Sequence, residues 1–174
     1  LPVRGSADDS PLFNKAIQGV YELGSTFKIF TVAQALELDL VDPKTKINTK
    51  GPIRMGGHKI NDYRNNGPEL PVWQVITESS NLGTARIAKM IGPEKQREFL
   101  SSLGFTKPTS IEMIEASGGK PLLPKRWNEL ETMTISYGHG LSATPLHLAT
   151  GYATLANGGR LGKPTLLEEE KLAL

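Results

Sequence analysis

The apolar segment that follows Ser25 constrains the fold of this chain most strongly. Its apolar residues are spaced too closely for a helix that buries a single face: Phe27, Ile29, Phe30, Val32, Ala33, Leu36 and Leu40. A helix that is apolar on nearly every side has to be buried. Pro43 cannot continue a helix without the loss of a backbone hydrogen bond. The sequence therefore predicts a buried helix that starts at Ser25 and ends before Pro43.

Composition excludes several classes of protein. A chain of 174 residues with 38% apolar and 22% charged residues can form one domain with a sizeable core. The formal charge is only +2 and no run of Lys or Arg is present, so we expect no nucleic-acid partner. The absence of cysteine excludes disulfides and thiolate chemistry. No apolar run is long enough to span a membrane.

Further helices are predicted from helix caps and from glycine or proline breakers, over about 72–78, 80–92, 93–104 and 144–158. Residues 43–71 contain four Pro and four Gly and are interpreted as irregular or hairpin-like. Residues 133–137 are interpreted as a short strand or extended segment, and residues 1–15 and 168–172 as a loop and a frayed or truncated tail. Many helices and few strands indicate an α+β fold with part of its sheet outside the chain.

Ser25 and Lys28 form the first candidate for chemistry. A serine hydroxyl is a weak nucleophile until a base takes its proton, and a lysine whose pKa is lowered by burial can be that base. A spacing of three residues brings the two side chains to one helix face. The helix N-terminus would favour the oxyanion formed on a carbonyl. The alternative is that Ser25 caps a helix and Lys28 extends to solvent. Ser117 and Lys120 repeat the spacing, but two intervening glycines disfavour a helix there.

Ser79-Ser80-Asn81 is the second candidate, because a hydroxyl and an amide two residues apart can face one cleft. The alternative is an ordinary cap for the helix that follows. A third segment, 136–145, approaches the glycine fingerprint of dinucleotide-binding proteins. The helix after it opens too late, at Thr144-Pro145, so that function is disfavoured.

The three histidines show no spacing typical of metal ligands. His139 is expected to lie in a loop and His147 on the surface of a helix. Motifs of α/β-hydrolases and of phosphate-binding loops are absent from the sequence.

Together and in this order, these segments resemble the transpeptidase domain of class B penicillin-binding proteins. The resemblance covers most of residues 15–160 and is carried by Gly24-Ser25-Thr26-Phe27-Lys28, Ser79-Ser80-Asn81, Ser136-Tyr137-Gly138-His139-Gly140 and Thr144-Pro145-Leu146. Ser-Ser-Asn and the glycine-rich form are closer to the septal, division-specific members. The fold implied is the α+β fold of these transpeptidases and of serine β-lactamases, represented mostly by its helical part.

The resemblance implies roles for six residues. Ser25 would attack the D-Ala carbonyl of a peptidoglycan stem peptide, Lys28 would take its proton, and Ser79 would relay the proton. Asn81 would hold substrate, as would Gly138 and Gly140, and the N–H of Ser25 would supply half of the oxyanion hole. The reaction implied needs no metal or cofactor, and β-lactams would acylate the same serine.

The third motif of the family, Lys-Thr/Ser-Gly, occurs nowhere in the 174 residues. We therefore expect residues 1–174 to be a partial transpeptidase domain, without the strand of the third motif and without a membrane anchor, and to be weakly active or inactive alone. The implied location of the parent protein is the bacterial inner membrane, with the catalytic domain in the periplasm or otherwise outside the membrane. Cell-division proteins are the implied protein partners.

Other functions stay open from the sequence. A serine β-lactamase or a D,D-carboxypeptidase would use the same nucleophile and base, with water as the final acceptor. A scaffold without catalysis would keep the fold and bind division or cell-wall partners.

Overall fold

A computed structural model describes residues 12–168. The predicted loop over residues 1–15 and the predicted tail over 168–172 fall mostly outside this range, and residues 12 and 15 lie in turns. Among residues 12–168, helices dominate and every strand is short, which matches the prediction of an α+β fold represented mostly by its helical part.

The helices are α1 Lys28–Glu37, α2 Val72–Thr77, α3 Asn81–Ile91, α4 Pro93–Ser102, α5 Glu129–Ile135 and α6 Pro145–Ala156, with 3-10 helices at Gly24–Phe27 and Ile114–Gly118. The strands are β1 Tyr21–Glu22, β2 Lys46–Asn48, β3 Ile53–Met55, β4 His58–Ile60, β5 Glu69–Pro71 and β6 Ser142–Ala143.

The chain divides into two compact units. Unit 2 comprises Glu22–Leu100 and Leu123–Ser142, and unit 1 comprises the remainder. Every candidate residue for chemistry, from Ser25 to Gly140, lies in unit 2.

The core of unit 2 is built where α1 and α2 pack against α3 beside the β2–β5 pair. Its buried residues are Val32, Ala35, Val41, Ile47, Leu70, Val72, Val75, Ile87 and Ile91. β2 and β5 are antiparallel with Ile47 opposite Leu70, and β3 and β4 form a hairpin with Ile53 opposite Ile60. These two pairs confirm the hairpin-like interpretation of residues 43–71.

The buried helix after Ser25 is confirmed, but the α-helix proper begins at Lys28 and ends at Glu37. The preceding turn is 3-10, a common form of the first turn of a helix. At the other end, Asp39 adopts a positive φ of 51°, which stops the helix before Pro43 is reached. The helices predicted near residues 72, 80, 93 and 144 all form.

The strand predicted at residues 133–137 is wrong, because Met133 lies inside α5. The side chain of Asn128 accepts a hydrogen bond from the Leu130 N–H and caps this helix. The hydroxyl of Thr132 donates to the Asn128 carbonyl within the same first turn. Capping and burial therefore outweigh the strand preference of the β-branched residues in this segment.

The prediction that His147 lies on a helix surface is wrong, because this residue of unit 1 is buried. Its Nδ1 lies 2.8 Å from the hydroxyl of Thr144, the cap of α6, and its Nε2 lies 2.7 Å from the Lys107 carbonyl. Burial lowers the pKa of this imidazole. The surface prediction failed because one of the polar partners that make burial acceptable, the Lys107 carbonyl, is distant in sequence.

Among the helices formed by residues 12–168, none has both the length and the apolar character that a crossing of the bilayer requires.

Candidate active site

Ser25 lies in the 3-10 turn Gly24–Phe27 and is exposed. It caps neither this turn nor α1, whose cap positions are Leu23 and Phe27, so the interpretation of Ser25 as a helix cap is excluded. The backbone N–H of Lys28 donates to the Ser25 carbonyl. In a 3-10 turn, residues three apart are eclipsed, so Ser25 and Lys28 point to the same side of the helix.

Lys28 is the buried cation of the site. Its side chain is 2% exposed, and its Nζ donates to the Ser79 carbonyl at 2.5 Å and to the Ser79 hydroxyl at 2.8 Å. Burial lowers the pKa of Lys28 from 10.5 to about 8, against the charge of Asp62, which raises it. An amine with this pKa is neutral in part near neutral pH and can accept a proton. The interpretation of Lys28 as a surface cation is excluded.

The Ser79-Ser80-Asn81 segment connects α2 to α3 through a residue with a positive φ, since Ser79 has φ 53°. Ser80 is buried and caps α3, because its hydroxyl accepts a hydrogen bond from the Gly83 N–H at 2.9 Å. The middle serine thus has the ordinary role of a cap. Its neighbours are left free of that role: the hydroxyl of Ser79 binds Lys28, and the amide of Asn81 donates to the Asn61 carbonyl at 3.1 Å.

A cleft of about 360 Å³ brings the two motifs together. It is lined by Ser25, Tyr63, Arg64, Thr77, Glu78, Ser79 and Asn81. The exposed hydroxyl of Ser25 therefore shares a wall with Ser79, and Ser79 binds the Nζ of Lys28. Three of the four residues predicted to act in catalysis, Ser25, Ser79 and Asn81, line this cleft, and the buried fourth, Lys28, binds Ser79.

Three residues of the loop between β4 and β5 were missed by the sequence analysis. Tyr63 is 98% exposed and lines the cleft together with Arg64. Asp62 accepts hydrogen bonds from the Ser80 hydroxyl at 2.7 Å and from the Leu82 N–H at 2.8 Å. No motif marks these residues, and only the fold brings the loop to the start of α3.

Gly138 and Gly140 contact the segment that leads into the turn carrying Ser25. The Gly24 N–H donates to the Gly138 carbonyl at 3.1 Å. The Gly140 N–H donates to a carboxylate oxygen of Glu22 at 2.7 Å. Both glycines therefore bind the chain just before Ser25, and their binding of substrate stays a prediction.

Among residues 12–168, no cluster of three or more His, Asp or Glu side chains could hold a metal ion. The described site holds an exposed serine hydroxyl, a buried amine, a second hydroxyl and an amide, and general-base activation of a serine needs groups of these kinds.

Comparisons with known proteins match the chain to a family model and to several relatives. The model of the family described as "Penicillin binding protein transpeptidase domain" matches residues 3–172. The chain is 35% identical over 162 residues to a probable peptidoglycan D,D-transpeptidase FtsI of Caulobacter vibrioides. It is 34% identical over 146 residues to the peptidoglycan D,D-transpeptidase FtsI of Escherichia coli K12. These matches cover 93% and 84% of this chain but only 27% and 24% of the two relatives.

Two solved structures share the fold. One, described as a peptidoglycan glycosyltransferase from Burkholderia ambifaria, superposes with a TM-score of 0.86 and 32% identity, over 94% of this chain and 52% of the other. The transpeptidase domain of Burkholderia pseudomallei penicillin-binding protein 3 gives 0.84 and 33%, over 92% and 48%. These similarities confirm the expected fold class, and the matched part is about half of each solved chain.

Proposed function

The chain belongs to the family of penicillin-binding protein transpeptidase domains, and on that premise we propose that its parent protein is a peptidoglycan D,D-transpeptidase. The substrate would be a stem peptide that ends in D-Ala-D-Ala. The serine of the cleft, Ser25, would be the nucleophile, and β-lactams would acylate it in place of the peptide. The names of the relatives, which include FtsI of two bacteria, support a role in septal wall synthesis.

In the first half of the proposed reaction, the Ser25 oxygen attacks the carbonyl carbon of the penultimate D-Ala. Lys28, as the neutral amine, accepts the Ser25 proton, and the Ser79 hydroxyl passes that proton to the departing amine. The carbon–nitrogen bond then breaks and the terminal D-Ala leaves. The product is an ester between the peptide and Ser25.

In the second half, the amino group of another stem peptide attacks this ester. Its proton returns through Lys28 and Ser79 to the Ser25 oxygen, and the cross-link forms as an amide. Asn81 would hold the backbone of the substrate at the start of α3. Water in place of the amine would give the hydrolytic outcome of a carboxypeptidase.

The observation that carries the proposal is the contact between Lys28 Nζ and the hydroxyl of Ser79 on the wall of the cleft that Ser25 also lines. Burial of a charged lysine costs free energy unless the charge is paired or the amine loses its proton. The lowered pKa of Lys28, caused by burial, supports its use as a base.

We further propose that the parent protein is anchored in the inner membrane with this domain outside it, and that it binds division proteins. Weak activity of residues 1–174 alone stays a prediction. Acylation rates of this chain and of its parent protein would test it, and equal rates would contradict it.

The proposal is tested by the intact mass of the parent protein after incubation with benzylpenicillin. We expect one added mass equal to the whole antibiotic on the natural protein and none on the Ser25→Ala variant. The second Ser-x-x-Lys serine provides the control: Ser117 is exposed, and Ser117→Ala is expected to keep the adduct.

An adduct on Ser25→Ala would overturn the assignment of the nucleophile. An adduct that disappears within seconds, with continuous turnover of the antibiotic, would instead favour a β-lactamase.

A further inference from the structure

Asp62 connects the loop after β4 to the first turn of α3. One carboxylate oxygen accepts from the Ser80 hydroxyl at 2.7 Å, and the other accepts from the Leu82 N–H at 2.8 Å. The amide of Asn66 donates to the same carboxylate at 3.3 Å. A carboxylate at the N-terminus of a helix is also favoured by the helix dipole. Asp62 is therefore held firmly, and it holds the residues on both sides of Asn81.

The segment that Asp62 holds follows a residue with an unfavourable backbone conformation. Ser79 has a positive φ, a conformation that a residue other than glycine adopts only when its surroundings require it. Ser79 is exposed, while the next residue, Ser80, is fully buried. The bond from Ser80 to Asp62 thus holds the residue that lies between Ser79 and Asn81, both of which line the cleft.

The charge of Asp62 also acts on the proposed base. Three charged side chains belong to the elements around the cleft near Lys28: Asp62 and Arg64 of the β4–β5 loop, and Glu78 at the end of α2. The charge of Asp62 raises the pKa of Lys28, in the direction opposite to that of burial. Asp62 therefore contributes to the choice between the ammonium and the amine.

We propose that Asp62 is a positioning residue for acylation, which orients Ser79 and Asn81 through its hydrogen bonds to Ser80 and Leu82. The inference rests on the proposed function, since it assumes that Lys28 is the base for Ser25. Asp62 touches neither the nucleophile nor the base in this role. The two effects of Asp62 are separated by what is measured, because positioning sets the limiting rate and charge sets the pH of the midpoint.

The test compares rates of acylation by a chromogenic β-lactam, in the parent protein, from pH 5.5 to 9.5. Asp62→Asn keeps the shape but removes the charge and one of the two acceptor oxygens, so Lys28 loses its proton more easily and the limiting rate also falls. We expect the midpoint of the rise in rate to move to lower pH. Asp62→Glu keeps the charge but displaces the carboxylate, so the midpoint should stay near that of the natural protein while the limiting rate falls severalfold.

Asp42→Asn is the matched control. Asp42 is exposed, and its carboxylate organises a turn with Lys44 and Thr45, so it is a similar hydrogen-bonded aspartate in the same unit. Its replacement removes the same charge away from the cleft. The midpoint and the limiting rate should both be unchanged.

An Asp62→Asn variant with the midpoint of the natural protein, or with a higher one, would overturn the inference. So would an Asp62→Glu variant that shares the midpoint of the Asn variant. If Asp62→Asn does not fold, Ser80→Ala tests the positioning effect, and an unchanged limiting rate in that variant would contradict it. Failure of the proposed function is distinguishable, because Ser25→Ala would then still be acylated.

Discussion

Burial lowers the pKa of Lys28 and so changes the protonation of this side chain. The side chain enters the interior from the first residue of α1, and both of its assigned hydrogen bonds go to one residue, Ser79. The ammonium form loses water on entry and regains only a carbonyl, a hydroxyl and the more distant charge of Asp62. Desolvation is therefore the larger effect, and the pKa falls to about 8.

This pKa predicts the pH dependence of acylation. In the proposed mechanism the neutral amine is the active form, so the rate should rise about tenfold per pH unit below pH 8 and level off above it. The measurement is the rate of β-lactam acylation of the parent protein across that range. Lys28→Met should lose most of the rate at every pH, whereas Lys120→Met, in the second Ser-x-x-Lys match, should reproduce the natural profile. A rate that falls as the pH rises would contradict the assignment of Lys28.

At the scale of elements, the 3-10 turn that carries Ser25 is held by the glycine-rich segment that follows α5. Gly138 has φ 84°, and a Cβ on it would lie 2.1 Å from the Gly24 carbonyl oxygen and 2.4 Å from the Gly24 nitrogen. No side chain fits there unless the backbone before Ser25 moves. The glycine is thus required by the close approach of two backbone segments as well as by its own conformation.

Gly138→Ala should therefore lower both the stability and the acylation rate of the protein. We expect a loss of several kcal/mol, the upper part of the range for single substitutions. Gly57→Ala is the control, since Gly57 has a similar φ of 80° but open space around its Cβ position. It should cost only the conformational strain of about 1–2 kcal/mol and leave acylation intact. Thermal unfolding and acylation rates measure both effects, and equal losses in the two variants would contradict the steric argument.

At the scale of the molecule, the site depends on a core that unit 2 supplies by itself. The helices that begin at Lys28 and at Asn81, α1 and α3, pack against each other, and Ile87 of α3 is fully buried between them and β2. Loss of this contact would change the distance between the two motifs as well as the stability. The cleft is therefore a property of the packed unit and not of either helix alone.

Ile87→Ala should destabilise the protein by about 2–5 kcal/mol, the usual cost of a large-to-small change in a core. Met90→Ala, on the same helix but 47% exposed, should cost clearly less. Denaturant unfolding measures the difference in the free energy of unfolding. Similar losses in both variants would show that α3 is not held by the core described above.

Sequence patterns determined the features that depend on neighbours along the chain. Local chemistry identified several helices. The cap and proline mark α6, the glycine and proline breakers bound α3 and α4, and apolar residues on nearly every side mark α1. Three ordered motifs were enough to indicate the family, because their order and spacing reflect one arrangement in space.

The tertiary structure alone decided the features that depend on distant partners. It placed Met133 in a helix, buried His147, and brought Asp62 and Tyr63 to the site, although no pattern in their segments indicates it. It also decided the protonation of Lys28, since a pKa depends on the water and the charges around a group. The physical reason is the same throughout: burial, solvation and contacts between distant segments exist only once the chain is folded.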